Sequence, residues 1–127
     1  MRAILVATIA VLMATPAWAG YVENRTQWNA LDAQRKADYS MGLFDGLAQV
    51  SPTDRVGIAH FRARSECVTA LGITSSDLAL LIDEGYAADA GTWSLGPLAI
   101  LLRQTNRVCR SQINAAVIAA GGEPFIP

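Results

Sequence analysis

The chain carries one histidine, His60, so any acid–base or metal chemistry must be assembled around a single imidazole. As a general base it would need a nucleophile within hydrogen-bond reach and a carboxylate to orient it. Ser65 and Glu66 are close in sequence, but no strand–turn–helix elbow motif surrounds the serine. Asp38, Asp45 and Glu66 could pair across helices as glycosidase carboxylates do, although their separations in sequence carry no information about that pairing. A zinc site needs more ligands than these, and no phosphate loop, EF-hand loop or metalloprotease motif is present. The residue types therefore point to no catalytic centre, no metal and no cofactor, and the chain reads as something other than an enzyme.

The remaining reactive side chains are Cys67 and Cys109, the only two cysteines. Their redox state depends on compartment, and the N-terminus speaks to that. Met1-Arg2 precedes an apolar run from Ala3 to Ala14, and Ala17-Trp18-Ala19 has the small-residue pattern of a signal-peptidase site. The apolar run is too short for a membrane span, which needs about 20 residues. The expected organisation is a signal peptide over 1–19 and a single helical domain over 20–127, periplasmic or secreted, with no membrane span after cleavage. In such a compartment an even pair of cysteines is most simply a disulfide, here between Cys67 and Cys109. In the chain-entropy model, closing a loop of this length stabilises the fold by about 4 kcal/mol.

Charge excludes one class of partner. The whole chain has a formal charge of −1, and loss of Arg2 with the leader makes it −2; nucleic-acid-binding domains are commonly strongly basic. The local pattern is richer than the net value. Arg103, Arg107 and Arg110 form a row near the C-terminus, Arg62 and Arg64 lie beside Phe61, and Asp77, Asp83, Glu84 and Asp89 cluster between them. Such a pattern serves either intramolecular pairing between neighbouring helices or a basic face, Arg103, Arg107 and Arg110, for an acidic partner or anionic surface.

The elements that would position these groups are all helical. From Ser94, a plausible cap, through Pro97 in the first turn, apolar residues recur at helical spacing: Leu98, Leu101, Leu102, Val108, Cys109, Ile113, Ala116 and Val117. A continuous helix to about Ala120 would be about 40 Å long and would serve as the spine. A first helix from Thr26 to about Val50 would bury Trp28, Leu31, Tyr39, Leu43 and Leu47, with Arg35 in the same row. Asp32 and Lys36 would form an outward (i, i+4) pair. Gly42 and Gly46, four apart, read as a place where another helix backbone approaches closely, or else a ligand. Residues 55–64 read as loop or a short helical turn, followed by a short helix from Ser65 to Leu71 ended by Gly72. Thr74 or Ser75 caps a further helix to about Ala90, burying Leu78, Leu81, Ile82 and Tyr86 and leaving Asp83 and Glu84 in water. Strand signals are almost absent. The fold class is all-α, a small bundle of three to four helices with one disulfide.

One combination of motifs resembles a known family. Tyr39-Ser-Met-Gly42-Leu-Phe-Asp45-Gly46 is followed by Cys67 opening a helical segment, then Leu81-Ile82-x-x-Gly85-Tyr86, then Pro97-Leu98-x-x-Leu101-Leu102 leading to Cys109. Over roughly Trp28 to Cys109 this is similar to small exported helical bacterial proteins of the Tai-like type, the immunity proteins against type VI secretion amidase effectors. In that family a cysteine usually precedes the tyrosine-containing segment, where this chain has Ala37 and Asp38. The resemblance implies a helical frame and a protein partner. With the leader and the missing catalytic motifs, it makes a non-enzymatic periplasmic protein-binding module, an inhibitor or immunity-type factor, the leading functional expectation. The alternatives are an envelope-homeostasis protein that binds unfolded chains or lipid, and a hydrolase using Asp38, Asp45 or Glu66.

Overall fold

Short polar side chains set where the chain enters its first four helices. In the computed structural model, residues 21–49 and 52–124 are described; the expected signal peptide and the expected helix end at Val50 lie outside them. Asn24 accepts the Gln27 N–H and starts α1, Arg25–Asn29; Asp32 accepts the Arg35 N–H and starts α2, Ala33–Ala48. Asp54 accepts the Gly57 N–H and starts α3, Arg55–Ala70. Thr74 and Asp77 form a reciprocal capping box at the head of α4, Ser75–Ala88. Donation from the Thr74 hydroxyl, and then from its backbone N–H, holds the Asp77 carboxyl below its ordinary value. A 3-10 turn, Ala90–Thr92, leads to α5, Pro97–Val108, and α6, Arg110–Ala119, completes six helices with no strand among the described residues.

Helix ends are equally local in origin. After α3, Gly72 adopts φ +64° and lets the Ile73 and Gly72 N–H groups close on the Val68 and Thr69 carbonyls. Gly121 does the same after α6, with φ +87°. The first of these turns redirects the chain by 115° between α3 and α4.

Four expectations of continuity and contact are corrected. The helix from Thr26 divides because Asp32 caps α2 and breaks the run; its carboxylate then serves Arg35, at 3.5 Å, rather than Lys36. Residues 55–64 are the first ten residues of α3, neither a loop nor only a short helical turn: the Asp54 cap initiates a helix that absorbs the short one at 65–71. The spine helix divides at Cys109, whose φ, ψ of −97°, 13° leave the helical region, and Gly96 rather than Ser94 precedes its first turn. The Thr105 hydroxyl donates back to the Leu101 and Leu102 carbonyls one turn earlier, a pattern that bends helices. Finally, Gly42 and Gly46 face outward, and a Cβ at either would meet nothing within 4 Å.

The break at Cys109 has a packing purpose. α5 lies against α4, whereas α6 lies against α3, and a straight helix through both would have to satisfy two differently directed partners. α4 is the central element, covered by α2 on one side and α5 on the other. Leu78, Ile82 and Tyr86 of α4 meet Trp28, Ile100 and Leu101 in the main core, continuous with Val68, Ile113 and Val117 between α3 and α6. The close backbone approach lies here, at Gly85: a Cβ there would collide with Ile100 and come within 2.8 Å of Gln104 on α5. Val108, expected inside, is exposed because the turn at Cys109 rotates it away from the core.

Tyr86 is 1% exposed and donates its hydroxyl to the Leu95 carbonyl at 2.7 Å. Burial, and then the neighbouring Tyr39, push its pKa up to about 12. Because the folded value is raised, the stabilisation is complete below the unfolded value of about 10 and is lost as pH rises through about 12. Tyrosinate absorbance should therefore show one late transition near pH 12 that coincides with loss of helical ellipticity. Tyr86→Phe should abolish that transition.

Candidate functional site

The two cysteines are joined: Cys67 Sγ and Cys109 Sγ are bonded at 2.08 Å, with Cα atoms 5.8 Å apart. Cys67 lies in the last turn and a half of α3, and Cys109 is the hinge residue between α5 and α6. The bond is buried and structural, and no free cysteine remains. A disulfide of this kind fits an oxidising compartment.

His60 does not assemble a catalytic group with Ser65 or Glu66. His60 and Ser65 are five residues apart on one helix, so their side chains leave different faces. The His60 Nε2 lies 3.2 Å from Asn106 Oδ1 of α5, an amide rather than a carboxylate. Asp38, on the exposed face of α2, accepts from Gln34, and Glu66 is exposed on α3. Among the described residues no group of three His, Cys, Asp or Glu side chains is placed to hold a metal ion.

The arginine row is divided. Arg103 and Arg107 are one turn apart on α5, while Arg110 opens α6 beyond the hinge. All three are exposed, and Arg107 lies 3.8 Å from Glu84 of α4, an exposed pair of little energetic weight. Part of the intramolecular pairing expected from the charge pattern is therefore present, and Asp83 supplies another part. Asp83 is turned toward α2, where Lys36 Nζ and Trp28 Nε1–H both donate to its Oδ1 at 2.7 Å. Lys36, expected outward, is half-buried because the α1–α2 break brings its side chain over the Trp28 ring, 5.3 Å from the centroid.

Sequence reading missed the group with the strongest recognition character. The extended segment before α1 is pinned by burial of Val22 and by its N–H, which donates to the Tyr39 hydroxyl at 3.0 Å. That places Arg25 against Trp93: the Arg25 N–H donates to the Trp93 carbonyl at 3.0 Å, and its guanidinium lies 4.3 Å over the Trp93 ring. The indole Nε1–H donates to the Tyr86 carbonyl at 2.9 Å, so the ring is held while remaining 48% exposed. Tyr21 is 71% exposed, and its hydroxyl would lie 3.8 Å from a Cβ at Gly96, a few residues beyond Trp93. Tyr21, Arg25 and Trp93 are separated by up to 72 positions, and only the fold collects them. Their type was the available signal, since Trp, Tyr and Arg are the residues most enriched at binding hot spots.

A second feature is a cavity of about 250 Å³ lined by Leu47, Pro52, Gly57, His60, Phe61 and Arg64. A shallow groove of about 300 Å³ between α2 and α4 is lined by Leu31, Leu80 and the Lys36–Asp83 pair.

No family model, curated protein or solved structure matches this chain. The function must therefore be argued from the arrangement of its own residues.

Proposed function

We propose that this protein is a non-enzymatic binding module of the periplasm or the secreted space. It recognises another protein, as an inhibitor or immunity-type factor does. The observation that carries this reading is the Tyr21–Arg25–Trp93 surface, where Tyr21 and Trp93 are exposed and the half-buried Arg25 packs on the held indole ring. Its three side chains offer large amphipathic contact area, and the indole and guanidinium are already held by the cation–π contact and by backbone hydrogen bonds. Less conformational entropy is then lost on association, which is the advantage of preorganisation. The buried disulfide supports a role in an oxidising compartment, and the resemblance to Tai-like proteins supports a protein as the partner.

The test is affinity capture with the oxidised chain from envelope extract, and from extract of competing bacteria, followed by quantitation of the captured partner. Trp93→Ala and Arg25→Ala should each weaken binding by at least about 30-fold, the scale of a hot-spot residue. Charge reversal at Arg103 and Arg107 should have a smaller effect that fades with added salt. Full retention of a stoichiometric partner by the Trp93→Ala, Arg25→Ala double variant would reject this face. Loss on charge reversal alone would transfer the role to the arginines.

A further inference from the structure

The cavity between α3 and the end of α2 contains a cation without a counter-ion. Arg64 is only 8% exposed, and among the described residues its guanidinium has no hydrogen-bond partner and no carboxylate within 4 Å. Its nearest specific contact is the ring of Phe61, 5.8 Å away. Desolvation lowers the Arg64 pKa, but a guanidinium remains charged under ordinary conditions. No guanidinium nitrogen is sealed from solvent, so the charge is solvated through the open hollow and is available to an anion that enters it.

The surroundings of Arg64 specify what would pair with it. The cavity walls contributed by Leu47, Pro52 and Phe61 are apolar, Gly57 adds backbone, and His60 adds one polar edge already in contact with Asn106. At about 250 Å³ the space lies just below the usual range for small-molecule sites, and it is a wide-mouthed hollow in the surface. A fully hydrated inorganic anion gains nothing from such walls. An anion carried on an apolar stem gains from both: a planar carboxylate matches the two-pronged guanidinium, and the stem covers Leu47 and Phe61. We propose that the Arg64 cavity is a binding site for a monocarboxylate on a short apolar stem, whether a free aliphatic or aromatic acid or the C-terminus of a peptide ending in an apolar residue. This site is distinct from the Tyr21–Arg25–Trp93 surface and does not depend on the proposal made for it.

The full chain, expressed with its own leader and purified in oxidised form, should be titrated calorimetrically with hexanoate, with hexanamide and with hexylamine. Hexanoate should saturate a single site, and hexanamide and hexylamine should bind at least about tenfold more weakly, since each lacks the charge-assisted pair. Arg64→Gln should remove the preference for hexanoate over hexanamide. Because that variant could also perturb α3, Leu47→Trp provides a second route: it fills the cavity, leaves Arg64 in place and should abolish binding at unchanged helical content. A tripeptide ending in leucine, compared with its C-terminal amide, separates the two sources. Tighter binding of the free-acid peptide than of hexanoate assigns a peptide terminus, and the reverse assigns a free acid. Equal binding of hexanoate and hexanamide, binding unaffected by Arg64→Gln, or no carboxylate binding up to about 10 mM would overturn the proposal.

Discussion

Replacing Cys67 and Cys109 together by alanine is expected to lower the unfolding free energy by about 4 kcal/mol, within the range of about 2–5 kcal/mol seen for native disulfides in small secreted domains. The bond closes a loop of 42 residues that includes all of α4 and all of α5. Without it, the unfolded ensemble regains the freedom of that loop, while the folded state keeps most of its other contacts. For a domain whose total stability is about 5–15 kcal/mol, that is a large fraction. The melting temperature should fall by roughly 15–30 °C. Cys109 is wholly buried and Cys67 nearly so, which leaves reductant little access to the sulfurs. The native protein should therefore resist reduction until denaturant is added, and alkylation with mass detection should find no free thiol in the purified protein. A double variant that melts within a few degrees of the parent would show that helix packing alone holds α3 to the α5–α6 hinge.

Trp28→Ala should be comparably severe, at about 3–5 kcal/mol by chemical denaturation. Trp28 is fully buried, meets Tyr39 edge-on with ring centroids 6.3 Å apart, and carries the hydrogen bond that orients Asp83. Its removal leaves a cavity between the α1–α2 corner and α4, the central helix. The two contributions separate in a cycle: Trp28→Phe keeps an aromatic ring but removes the donor, and Asp83→Ala removes the acceptor. Asp83→Ala alone should cost about 2 kcal/mol because it leaves the buried indole N–H without a partner. The coupling between the two substitutions should be about 1 kcal/mol. Lys36→Met should cost less than about 1 kcal/mol, because Asp83 keeps 39% of its side-chain surface in water. If Trp28→Phe and Asp83→Ala prove additive, the indole–carboxylate bond contributes no net stability and the ring's packing alone accounts for Trp28.

Legibility followed how local each cause was. Thr74 as a cap, the Gly72 and Gly121 stops and the buried set Leu78, Ile82 and Tyr86 were readable because their determinants lie within one turn of the chain. Asp32 and Asp54 were present as the same kind of signal, yet periodicity outweighed them: an apolar row continues across a cap as readily as along a helix. The row from Leu98 to Val117 is a true helical pattern, but periodicity does not report that its two halves face different partners. Gly42 and Gly46 had the spacing of a close helix contact and Gly85 stood alone. What decides such a contact is the position of the opposing helix, and α5 came to rest on Gly85.

The candidate sites divide in the same way. That the two cysteines would pair was legible from their even number and from the leader-like N-terminus, both present in the sequence. That Arg64 would lack a counter-ion, or that Tyr21, Arg25 and Trp93 would share a surface, depends on where side chains distant in sequence arrive. The amino-acid sequence by itself determined the all-helical class, the disulfide, the bounds of α4 and the ends of α3 and α6, because caps, breakers and hydrophobic period act over three or four residues. Tertiary structure alone decided the bend at Cys109, the inward turn of Lys36 and Asp83, and the gathering of Tyr21, Arg25 and Trp93 on one surface, because burial and pairing are properties of neighbours in space.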